Sequence, residues 1–137
     1  MEYTNFRDKP VFSENGFVGS VEGSAYKSVA VTATATGAQV PDDATHVVVT
    51  STNANHIIIL PEPSLGRKLT LVNGATGYEI RSTNPETIGI NGGTDEDAES
   101  AVAANIVVKV ESVTPTNWIG STVTSAGVVG VLQVAAP

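Results

Sequence analysis

The run Asp95-Glu96-Asp97-Ala98-Glu99, directly after Asn91-Gly92-Gly93, is the densest group of chemically capable side chains in the sequence. Clustered carboxylates and loop carbonyls could supply the roughly six to eight oxygens that Ca²⁺ requires. The spacing is not that of an EF-hand loop, and the glycine expected inside such a pattern is missing. A solvated, mutually repelling acidic loop is the simpler reading, so no metal is expected. His46 and His56 could serve a Ser-His-Asp site only beside a serine and Asp42 or Asp43. No GxSxG elbow accompanies them. Glycan cleavage needs two opposed carboxylates and aromatic platforms, and the body of the chain is poor in aromatics. Gly92-Gly93-Thr94 precedes acidic residues that would repel phosphate, and no GxxxxGK[ST] follows. Trp118 reads as a core anchor or a subunit-interface residue. The chain is therefore expected to be neither an enzyme nor a cofactor protein.

The elements that carry these residues are strands. The chain has 137 residues, the length of one domain, and a size that buries roughly two-thirds of its unfolded surface. Hydrophobic residues make up 41%, mostly Val, Ile, Leu and Ala, and β-branched side chains favour a pleated sheet. Charged residues are only 15%, against about 25% in an average soluble domain, which suggests a surface shared with a partner. The net charge of −7 argues against nucleic acid, and equally against an anionic membrane surface. There are no cysteines, and the first ten residues lack the apolar run of a signal peptide, so assembly inside a cell is expected.

Strands are predicted at 29–34, 46–52, 56–60, 68–72, 77–81, 87–90, 106–113, 117–122 and 128–134. Alternation is clearest where Ile106, Val108 and Val110 oppose Val107, Lys109 and Glu111. The runs 47–49, 57–60 and 128–132 are apolar on both faces, which predicts a second subunit over their outer side. Asn73-Gly74 reads as a hairpin turn, and Asn91-Gly92-Gly93 as a further break. No exact internal repeat is visible. The expected fold is all-β: an antiparallel β-sandwich, jelly-roll-like, over 28–137.

Residues 1–27 have a different character. All three phenylalanines and two of the three tyrosines fall there, without helical or alternating periodicity. This reads as an extended N-terminal arm, able to reach on the order of 90 Å, with Tyr3, Phe6, Phe12, Phe17 and Tyr26 as partner-binding anchors.

The stretch 46–120, a little over half the chain, carries a distinct pattern. It runs from His56-Ile57-Ile58-Ile59-Leu60-Pro61 through Pro63 and Gly66 to Asn73-Gly74-Ala75-Thr76-Gly77-Tyr78-Glu79-Ile80. It continues with Ile88-Gly89-Ile90-Asn91-Gly92-Gly93 and ends at Asn117-Trp118-Ile119-Gly120. The pattern resembles the β-sandwich decoration (cement) proteins of tailed-phage capsids, and also the tip modules of phage fibres. The resemblance implies a viral structural protein on the capsid exterior, assembled in the host cytoplasm. Its implied partners are the major capsid protein and itself, as a homotrimer. The alternative is a head-fibre or tail-fibre component used in host attachment.

Overall fold

The computed structural model describes residues 26–95 and 98–132. Eleven strands cover about half of them, and no α-helix occurs among the described residues. In chain order the strands are β1 Ser28–Thr32, β2 Ala38–Gln39, β3 His46–Thr50, β4 Ile57–Ile59, β5 Lys68–Asn73 and β6 Tyr78–Arg81. They continue with β7 Gly89–Ile90, β8 Glu99–Val102, β9 Ile106–Thr114, β10 Asn117–Thr124 and β11 Val129–Val131. Triplets such as Val47-Val48-Val49 and Ile57-Ile58-Ile59 are β-branched throughout, and their stiff χ1 angles suit the pleat.

The all-β expectation holds, but the sheets are mixed rather than antiparallel. The larger sheet runs β11-β10-β9-β5-β3-β1, with β7 added beside β10, and the smaller runs β2-β4-β6-β8. From β1 to β6 the chain alternates between the sheets, so each new strand lies parallel to the one laid down a coil earlier. Ser28 pairs with His46 and His46 with Thr70 in the large sheet, while Ala38 pairs with Ile58 and Ile58 with Ile80 in the small one. A return to the same sheet after one full coil places neighbours parallel, whereas a hairpin places them antiparallel. Antiparallel pairing appears where the winding ends: β6 with β8, β5 with β9, and the meander β9-β10-β11.

The Asn73-Gly74 turn differs from expectation for the same reason. It is a corner between sheets, since β5 and β6 lie in different ones. The Asn73 amide holds that corner: its Nδ2 donates to the carbonyls of Thr76 and Ala103 at 2.9 and 3.0 Å. Its Oδ1 accepts from the Ile106 amide at 3.0 Å. The tight Asn-Gly hairpin occurs instead at Asn91-Gly92, where both residues have positive φ (51° and 87°). Ile90 and Gly93 exchange backbone hydrogen bonds across it.

One core lies between the sheets. The large sheet contributes Val31, Val47, Val49, Leu69, Leu71, Val108, Val110 and Trp118; the small sheet and its continuations add Ile58, Leu60, Tyr78, Ile80 and Val102. Gly120 gives Leu132 its place in that core. A Cβ at Gly120 would lie 2.6 Å from Leu132 Cδ2 and 2.8 Å from Val110 Cγ1.

Candidate partner-binding surface

Alternation decides which side chains leave the core, and register decides which of these become neighbours. On the outer face of the large sheet the paired residues are Ala30–Val48, Val48–Val72, Val72–Val107, Val107–Val123 and Val123–Val129. These pairs form one apolar row that crosses all six principal strands. Every member is half-buried or exposed. The row beside it is polar over most of its length: Ser28, His46, Thr70, Lys109, Ser121 and Val131.

Exposure of large apolar side chains rises toward the β11 edge. Val128, Val129 and Val131 are 62%, 70% and 76% exposed, and Ile119 and Val113 add to the same end of the sheet. A shallow open depression of about 510 Å³ lies across β5, β9 and β10, bordered by Lys68, Thr70, Lys109, Glu111, Ile119 and Ser121.

The outer face of the small sheet is different. Its cross-strand row is Gln39, Ile59, Arg81 and Glu99, and the Arg81 guanidinium is ion-paired with the Glu99 carboxylate. Glu79 lies nearby, and its carboxyl is pushed above its ordinary value, first by burial and then by Glu99, with Arg81 opposing. Ile57 and Ile59 share this face but are covered from within the chain. The turn ending at Gly37 lies against both, and a Cβ there would meet Ile59 at 2.8 Å.

Of the expected anchors, Tyr26 is described: it is exposed and its ring lies 6.3 Å from that of His46, centroid to centroid. Tyr3, Phe6, Phe12 and Phe17 lie outside the described residues, as does most of the 1–27 arm. Lys27 fixes the start of β1 through an ion pair with Asp43 at 2.6 Å, and this hydrogen bond holds the Asp43 carboxyl below its ordinary value.

The chemically capable residues are dispersed. His46 Nδ1 lies 3.3 Å from Ser28 Oγ on the outer face, while Asp43 is engaged by Lys27. His56 is half-buried at the entry to β4, and its Nδ1 is without a hydrogen-bond partner. In the acidic run Asp95 is exposed, Ala98 is buried and Glu99 is committed to Arg81; Glu96 and Asp97 lie outside the described residues. No group of three or more metal-capable side chains occurs among the described residues. Trp118 is fully buried, the core anchor of the two readings its type allowed.

The apolar row was not anticipated as a continuous feature, although its parts were visible in Val48 and in Val107 on a polar face. Only pairing register aligns them. Comparison with protein families, curated proteins and solved structures returns no match.

Proposed function

We propose that the protein is a structural component of a virion, a decoration protein that binds the outside of a tailed-phage capsid and braces the shell. Its partners in this reading are the major capsid protein and further copies of itself, as a homotrimer. The N-terminal arm contacts coat protein or neighbouring subunits. The resemblance of 46–120 to β-sandwich decoration proteins motivates the viral assignment.

The observation that carries the binding role is the β11 edge. Edge strands are ordinarily protected from other chains by lysine, proline or a bulge. β11 instead presents Val129 and Val131 almost bare to solvent on a strand without charge. Such an edge suits a chain that is covered once assembled. Binding the finished shell and not its separated parts stabilises the shell by mass action.

Stacked parallel coils favour a second reading, a head-fibre or tail-fibre module, because coil-built bodies extend readily into linear arrays. Quantitative mass spectrometry of virions that contain the protein separates the two. Copy number comparable to the coat protein is expected for decoration, and a few copies per particle would move the assignment to fibres.

A further inference from the structure

We propose that the outer face of the large sheet is a twofold contact between two copies of the chain, with the axis running along the strands between β5 and β9. The inference rests on the self-association in the proposed function, not on the capsid partner, and it names the surface and the symmetry. A twofold contact here adds to any threefold contact made elsewhere on the chain.

The face is balanced about its centre line. Strands β1, β3 and β5 lie on one side, and β9, β10 and β11 on the other. A twofold axis along that line keeps each cross-strand row on itself and exchanges the two halves. Val72 of one copy then stands opposite Val107 of the other, Val48 opposite Val123 and Ala30 opposite Val129, each contact made twice. The apolar row covers itself. Aligned sheets cross at about 30°, so the central contacts of Val72 with Val107 are the closest.

Charge obeys the same symmetry. Lys68 and Glu111 are neighbours on adjacent strands. Both are exposed, and neither makes an ion pair among the described residues. Across the axis Lys68 of one copy meets Glu111 of the other, so four charges alternate in sign around it. Lys68 begins β5, which puts the quartet toward the rim, where charges keep their water and fix register. Lys109 falls opposite Thr70 of the other copy. An axis along β9 itself would instead set Lys109 on Lys109 and Glu111 on Glu111.

The face is also large enough. β9 and β10 run for nine and eight residues. At about 4.8 Å by 3.3 Å per residue the six strands cover roughly 570 Å² of flat sheet, about 1,150 Å² for two copies. Side-chain relief raises the accessible area above that, into the range that begins near about 1,200 Å² for stable interfaces.

The test uses the full chain and exchanges charge between copies. Light scattering behind a sizing column is expected to give the unmodified chain a mass that is an even multiple of 14.1 kDa. Lys68→Glu leaves four negative groups around the axis, and Glu111→Lys four positive ones. Each variant alone should weaken the contact at least about tenfold in Kd. An equimolar mixture of the two should regain it, because opposite charges then meet across the axis. Both side chains are exposed, so the fold stays intact, as circular dichroism would verify. Variants that keep the full mass would overturn the proposal, and so would a mixture that fails to regain it; in either case self-association itself stands. An unmodified chain that is monomeric at every concentration would overturn both, and would assign the row to a partner of another kind.

Discussion

The indole N–H of Trp118 donates to the carbonyl of Pro61 at 3.2 Å, linking β10 of the large sheet to the segment that leaves β4 of the small one. Both residues are buried, so this bond ties the two sheets through the core. Trp118→Ala removes a large side chain and strands the Pro61 carbonyl, and should cost about 3–5 kcal/mol. Trp118→Phe keeps most of the volume but not the donor, and should cost less. Urea unfolding followed by far-UV circular dichroism measures both.

Gly120 and Gly74 should respond differently to the same change. A Cβ at Gly120 collides with Leu132 and Val110, so Gly120→Ala overpacks the core and should cost about 1–3 kcal/mol. Nothing lies within 4 Å of a Cβ at Gly74, and Gly74→Ala should stay within about 0.5 kcal/mol. Thermal unfolding of the pair checks this directly.

Asn91 clamps Leu132, just beyond β11, to β10. Its Nδ2 donates to the carbonyls of Leu132 and Gly120 at 2.8 and 3.2 Å, and its Oδ1 accepts from the Gly120 amide at 2.7 Å. Asn91→Asp retains the acceptor but sets a carboxylate oxygen against two carbonyls. It should therefore destabilise at neutral pH by about 2 kcal/mol, with partial recovery when the carboxyl is protonated. Amide exchange at Gly120, whose N–H donates to Asn91 Oδ1, reports where the clamp has opened.

Glu79 predicts a pH-dependent gain. Its folded pKa is raised, so the folded state binds this proton more tightly than the unfolded state does. The contribution of the group is therefore most favourable at low pH and is lost as pH rises through the folded value. Glu79→Gln should raise Tm at pH 7, and the gain should vanish below the unfolded carboxyl pKa of about 4.3. The side chain is only partly buried, so solvent screening keeps the effect under about 1 kcal/mol.

The β11 edge gives a prediction about assembly. Val129→Asp/Val131→Asp adds charge where the side chains already face water, so Tm should change little. Self-association should fall if the edge is covered by another copy, as light scattering behind a sizing column would show. Unchanged mass would exclude a second copy as the partner of this edge.

Much of the strand content was legible in the sequence. Period-two alternation in 68–72, 77–81 and 106–113 named the buried residues Leu69, Leu71, Tyr78, Ile80, Val108 and Val110, because a pleat has no other way to sort its side chains. The two-residue β2 and the short β8 were not foreseen, since neither Ala38-Gln39 nor Glu99–Val102 carries a run long enough to show a period. The inward face of β8 pairs Ser100 with Ile80, and a buried serine breaks the apolar signal.

By itself, then, the amino-acid sequence determined the all-β character of the described residues, where most of their strands lie and, in the three that alternate clearly, which face is buried. These are local properties of β-branched residues, alternation and turn-forming Asn, Gly and Pro. Tertiary structure alone decided that Asn73-Gly74 turns a corner between sheets and that β1, β3 and β5 stack in parallel. It also decided that Ala30, Val48, Val72, Val107, Val123 and Val129 stand in one row. Register between strands distant in sequence depends on how the whole core closes, and no local pattern encodes it.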